Sequence, residues 1–148
     1  MILGSNGFLG STLFNQLQKT THTVLPFVRK KKKTNDIECD VGNVRNLLNA
    51  LKEYQPEVII NCAAMLDFSE NSAEEQYRVN ALAPIILASW CSKNKTHLIQ
   101  ISSSSVNGNT LEQFSSNSIE LPINNYGRTK LLADQAIRLS KCSYTIIR

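Results

Sequence analysis

The 148 residues are 42% apolar and 19% charged. That composition excludes a disordered or fibrous chain, and the length suits one domain with a proper core. The net charge of +4 is concentrated in the basic run Arg29–Lys33. The remainder is close to neutral, which argues against a nucleic-acid surface. The four cysteines, Cys39, Cys62, Cys91 and Cys142, form no C-x-x-C pair. They read as reduced, mostly buried thiols rather than disulfides or zinc ligands. No apolar stretch reaches transmembrane length and nothing before Gly4 reads as a signal peptide, so the expectation is a soluble, cytoplasmic protein without membrane contact.

The first element is the apolar run Met1–Leu3, a short strand. It enters Gly4-Ser5-Asn6-Gly7-Phe8-Leu9-Gly10, and an amphipathic segment runs on from Phe8 to Gln18. Strand, glycine turn and helix is the context a dinucleotide-phosphate site requires. Glycines let the chain turn tightly and let backbone approach a pyrophosphate, while first-turn N–H groups and the helix dipole face the anion. The spacing is G-x-x-G-x-x-G, and a plain glycine-rich turn is the competing reading.

Further strands are expected at His22–Val28, Asp36–Cys39, Glu57–Asn61, His97–Ser102 and Tyr144–Ile147, with Pro26 marking an edge or irregularity in the second. Helices are expected at Val44–Tyr54, where Val44, Leu47, Leu48 and Leu51 form one stripe, at Asn71–Cys91, and at Tyr126–Leu139. Alternation of apolar strands with helices predicts an α/β fold: a Rossmann-type, doubly wound parallel sheet of about six strands with helices on both faces. Gly108–Asn125 is the one long polar loop, a mobile segment or an active-site rim. In such a sheet the ligand lies across the carboxyl ends of the strands, so the residues after each strand matter most.

After the second strand stands Arg29-Lys30-Lys31-Lys32-Lys33, with no acidic residue until Asp36. A carboxylate here would hold a ribose 2′-hydroxyl; a cationic run with Arg29 suits a 2′-phosphate and points to NADP(H), with NAD as the alternative. A solvated basic turn is the competing reading. After the third strand, Asp40-Val41 could meet an adenine amino group, and a turn or cap ahead of Val44 fits equally well. Asn61-Cys62-Ala63-Ala64-Met65 ends the fourth strand in small side chains that allow close approach. Ser102–Ser105 ends the fifth. Tyr126 and Lys130 lie four apart on one helix face, where an ammonium lowers the pKa of a phenol and makes it a usable proton donor and acceptor.

Taken in order, GSNGFLG, PEVIINCAAM, YRVNALAP, LIQISSSSVNG and PINNYGRTK resemble the extended short-chain dehydrogenase/reductase family over the whole of residues 1–148. Within it the chain looks most like the NAD-dependent epimerase/dehydratase group and its dTDP-4-dehydrorhamnose reductase branch. The resemblance implies that Gly4, Gly7 and Gly10 cradle the pyrophosphate, with Asn6, Phe8 and Leu9 lining it. It places Asp40 and Val41 at the adenine and Ala63, Ala64 and Met65 at the ribose and diphosphate. Asn80 becomes a structural or cofactor-adjacent residue. Ser103 would orient the substrate oxygen, Tyr126 would act as acid/base, and Lys130 would bind the nicotinamide ribose. The implied reaction is hydride transfer between NAD(P) and a nucleotide-sugar, and the long third helix would pair with a partner's in a homodimer. The branch usually reads S-T-D-Y-V-F where this chain has Ser102-Ser103-Ser104-Ser105-Val106-Asn107, which leaves epimerase, dehydratase and other reductase chemistries open. The family normally continues for about as many residues again, so the expectation is a cofactor-domain fragment without its substrate domain. The alternative from another class is a non-catalytic NAD(P)-binding module or truncated relic.

Overall fold

The computed structural model describes residues 1–66, 69, 72–108 and 118–148. Six parallel strands form one sheet in the order β3-β2-β1-β4-β5-β6. They are β1 (Ile2–Leu3), β2 (Pro26–Val28), β3 (Ile37–Glu38), β4 (Val58–Asn61), β5 (His97–Ile101) and β6 (Ser143–Ile147). The helices are α1 (Phe8–Leu17), α2 (Val44–Tyr54), α3 (Ala73–Gln76), α4 (Ala83–Asn94) and α5 (Asn125–Leu139). The chain runs from β1 through α1 to β2, and from β3 back through α2 to β4. Right-handed crossovers in opposite directions put α1 on one face and α2 on the other. α4 packs against both α2 and α5, so those three share a face.

Leu3, Phe27, Ile59 and Leu98 from the strands meet Leu47, Leu51, Leu87 and Ile137 from the helices, all essentially without solvent contact. At about 25 cal/mol per Å2 of apolar surface, each such side chain contributes on the order of 1.5–3 kcal/mol. On the face that α1 covers, Val58 and Ile147 stay half-exposed at the β4–β6 end.

Two elements differ by more than one residue from the sequence-based expectation. β2 is three residues rather than seven: β1 has only Ile2 and Leu3 before Gly4 turns the chain, and these pair with Pro26 and Phe27. The third helical run extends to Asn94 and contains a π turn at Tyr77–Leu82. Pro84 has no N–H for the Asn80 carbonyl and its ring crowds that oxygen, so a wider turn fits there. The expected start of this run at Asn71 lies outside the described residues. So does much of the polar loop, at 109–117. The chain beyond 117 is held by Asn107, whose Nδ2 donates to the carbonyls of Ser118 and Ile119 at 3.3 Å each.

Candidate functional site

β1 and β4 are neighbours, and the chain leaves them on opposite faces. That is the switch point of the sheet, where a crevice opens beyond the strand ends. A cleft of about 230 Å3 lies there, lined from β1 by Gly4, Asn6 and Gly7, from β2 and β3 by Arg29, Cys39, Asp40 and Val41, and from β4 by Cys62, Ala63, Ala64 and Met65, with Val79 below.

The glycine turn is shaped by two close approaches. Gly4 has φ +74°, and a Cβ there would stand 2.9 Å from the Ala63 backbone. A Cβ on Gly10 would lie 2.2 Å from the Gly4 carbonyl oxygen, so α1 sits on the turn only without a side chain. Gly7 is the N-cap of α1, and no side chain caps that helix. Its first-turn N–H groups therefore remain for a ligand, with the positive end of the helix dipole behind them. The donor set fits a dinucleotide: bare backbone for a pyrophosphate, small side chains opposite, and polar groups at the far end. The side chains of two expected lining residues are not among the walls of the cleft: Phe8 is 96% exposed and Leu9 40% exposed, and it is their first-turn backbone N–H groups that stay open. Gly10 lies beneath the turn rather than in the cleft wall.

At the far end Asp40 makes its own turn, its Oδ1 accepting from the Gly42 N–H at 2.9 Å, while Asn43 caps α2 through the Asn46 N–H. Arg29 Nη1 donates to Glu75 Oε1 at 3.0 Å in an exposed ion pair. The rest of the basic run is exposed, its loop shaped by Asp36 Oδ2, which accepts from the Lys32 and Lys33 N–H groups at 2.9 and 2.8 Å.

Asn80 is fully buried on the π turn. Its Oδ1 accepts from the Met65 N–H at 2.8 Å and its Nδ2 donates to the Met65 carbonyl at 2.9 Å. It therefore acts through the loop that lines the cleft. Asn61 supports the same loop: its Oδ1 accepts from the Ala63 N–H at 3.2 Å, and its Nδ2 donates to Gln100 Oε1 at 2.8 Å.

The three residues expected to be catalytic follow β5 or lie on α5. Ser103 caps the short 3-10 turn Ser104–Asn107, its hydroxyl oxygen accepting from the Ser105 N–H at 3.1 Å. Asn124 caps α5 by accepting from the Gly127 N–H at 2.8 Å, which sets Tyr126 in the first helical turn. A Cβ on Gly127 would lie 2.4 Å from the Ser105 carbonyl oxygen. Glycine there lets the tyrosine helix press directly on the serine turn. Lys130 comes one turn later, 1% exposed, its Nζ donating to the Ile101 carbonyl at the end of β5. Burial pulls this ammonium down to about 8, against the opposing fields of Asp134 and Cys62.

Ser103, Tyr126 and Lys130 are not among the residues that line the cleft, and what relates them to it is Cys62. It lines the cleft, and its thiol lies within the field of Lys130; burial raises it to about 11. Sequence reasoning, which takes the cysteines as packing residues, misses this one even though it singles out the strand end that carries it. Cys39 and Val79 are likewise missed as lining residues, having only apolar character to mark them.

The family model described as RmlD substrate binding domain matches residues 1–148. The chain is 31% identical over 143 residues to the probable low-salt glycan biosynthesis reductase Agl14 of Haloferax volcanii, a match covering 93% of this chain and 48% of that protein. It is similar to the crystal structure of dTDP-4-dehydrorhamnose reductase from Bacillus anthracis in complex with NADP, with TM-score 0.84 and 27% identity over 99% of this chain and 51% of the other. It is also similar to MoeE5 in complex with UDP-glucose and NAD, with TM-score 0.82 and 26% identity over 98% and 51% of the two chains. The chain thus spans about half the length of these relatives. Fold, cleft and family match agree: the chain belongs to the RmlD substrate binding domain family.

Proposed function

We propose that this chain is the cofactor-binding portion of an NAD(P)-dependent oxidoreductase or epimerase acting on a nucleotide-sugar, with NADP(H) preferred. The observation that carries the reading is the cleft at the β1/β4 switch point, where the glycine turn faces Ala63-Ala64-Met65 and Arg29 closes the far end. The similarity to a dTDP-4-dehydrorhamnose reductase holding NADP and to a protein holding UDP-glucose and NAD supports the ligand classes.

When bound, the nicotinamide supplies or removes a hydride at a sugar carbon. Gly4, Gly7 and the start of α1 hold the pyrophosphate, and Asp40, Val41 and Arg29 take the adenosine end. Tyr126 gives a proton to the sugar oxygen as that carbon is reduced, or takes one as it is oxidised. Ser103 donates a hydrogen bond to the same oxygen. Lys130 binds the ribose next to the nicotinamide. NADP(H) preference comes from a cation at the end of β2 where a carboxylate would favour a free ribose hydroxyl.

The test is a titration of the chain with NADPH and with NADH, then turnover of dTDP- and UDP-linked 4-keto sugars by the whole enzyme to which this portion belongs and by its Tyr126→Phe variant. The reading predicts tighter binding of NADPH, and a tyrosine variant that keeps the cofactor but loses turnover at least 100-fold. Cofactor binding without turnover of any such sugar would instead make the protein a non-catalytic binding module.

A further inference from the structure

Asp134 lies one helical turn beyond Lys130 on α5, so Tyr126, Lys130 and Asp134 succeed one another along a single stripe. The carboxyl has no solvent exposure. Three donors converge on one of its oxygens: Ser102 Oγ at 2.7 Å, Arg148 Nη2 at 3.0 Å and Arg148 Nε at 3.3 Å, all to Oδ2. Oδ1 is buried with no hydrogen-bond partner among the described residues. A buried carboxylate with one bare oxygen is costly unless positive charge stands nearby. Arg148, the residue after β6, supplies such charge, and is itself tied to Glu120, which also pairs with Arg138. Lys130 stands one turn earlier on α5, and the two side chains reach adjacent residues at the end of β5: Nζ donates to the Ile101 carbonyl, and Asp134 accepts from Ser102, so the carboxylate works against the burial that lowers the lysine.

We propose that Asp134 is a positioning residue: held by Ser102 and Arg148, its carboxylate is the fixed counter-charge that keeps the buried Lys130 side chain an ammonium behind the cleft-lining Cys62. The inference rests on the reading of Lys130 as a cofactor-binding residue. Burial alone works against a charged lysine. The other groups that face it are Cys62, at the end of β4, and Tyr126, one turn earlier. The charged residues of the helical run packed on α5 point outward: Arg78 pairs with exposed Glu74, and Glu75 with Arg29.

The experiment is an NMR titration of the full chain labelled at lysine Cε, with the Lys130 signal assigned through Lys130→Arg. The proposal predicts that Asp134→Asn and Asp134→Ala each lower the proton affinity of Lys130 about tenfold, and that Asp134→Glu restores it. NADPH affinity at neutral pH falls with Asp134→Asn and returns with Asp134→Glu. An unchanged Lys130 midpoint in folded Asp134→Asn overturns the proposal. Should that variant not fold, an unchanged Lys130 midpoint in Asp134→Ala overturns it equally. The titration needs no nucleotide, so a protein that fails to take NADPH would sink the cofactor reading without deciding this one.

Discussion

Asn80 grips both polar atoms of the Met65 residue's backbone, accepting from its N–H at 2.8 Å and donating to its carbonyl at 2.9 Å. The π turn and the strand-end loop are locked together by this one buried amide. Asn80→Ala removes both bonds and leaves buried backbone groups unpaired. A loss of about 2–4 kcal/mol is expected. Urea denaturation checks the stability, and a loss of NADPH affinity without any contact to the nucleotide checks the link to the cleft.

Gly7 and Gly10 separate binding from folding. A Cβ at Gly10 meets the Gly4 carbonyl oxygen at 2.2 Å, a backbone clash that nothing can relieve cheaply. Gly10→Ala is expected to cost about 1–3 kcal/mol or more. At Gly7 the nearest atom is the same oxygen at 3.3 Å, and the new methyl points toward the cleft that Gly7 lines. Gly7→Ala should shift the melting temperature little and weaken NADPH at least tenfold. Thermal melts and nucleotide titrations of the two variants check this.

Arg29 and Glu75 form an exposed ion pair, so neither contributes much to stability; about 0–1 kcal/mol is the usual range. Glu75→Gln frees the guanidinium and should raise the preference for NADPH over NADH. Arg29→Ala should lower that preference roughly tenfold. The ratio of the two dissociation constants, measured at fixed salt, is the readout.

Lys130 carries a pH signature. Its ammonium is held near 8 in the folded chain by burial, below the ordinary lysine value of 10.5. The folded state thus binds this proton more weakly than the unfolded state does. The lysine opposes folding below about pH 8, and stability rises as pH climbs from 8 towards 10.5. Lys130→Met should therefore be more stable at pH 7, by on the order of 1–3 kcal/mol, with the gap closing above about pH 10. The Ile101 carbonyl keeps a donor in that variant, Gln100 Nε2 at 3.1 Å. Melting curves from about pH 6 to 10 show the trend, and loss of NADPH binding in the stabilised variant shows what the charge is for.

Local chemistry makes the fold readable from sequence. Apolar strands of four or five residues alternate with helical stripes, and glycines mark the first turn. β4, β5 and α2 accordingly fall where periodicity puts them. β2 is short because its length is set by β1, a partner more than twenty residues away. The π turn depends on Pro84 crowding a carbonyl four residues back, which hydrophobic pattern does not register. At the site, the strand-end rule locates Asp40, Ala63, Ala64 and Met65 beside the cleft. It could not show that Asp40 spends Oδ1 on Gly42, that Arg29 pairs with Glu75, or that Phe8 faces solvent. The Ser102–Asp134–Arg148 cluster joins three elements that only the folded sheet brings together.

The most direct test is an amide NMR titration of the isotopically labelled chain with NADPH. The account predicts saturable shifts concentrated at residues 4–10, 29, 40–41, 62–65 and 126–130, at the carboxyl ends of the strands. Absence of saturable binding, or shifts gathered at the opposite end of the sheet around His97 and Ser143, would contradict it.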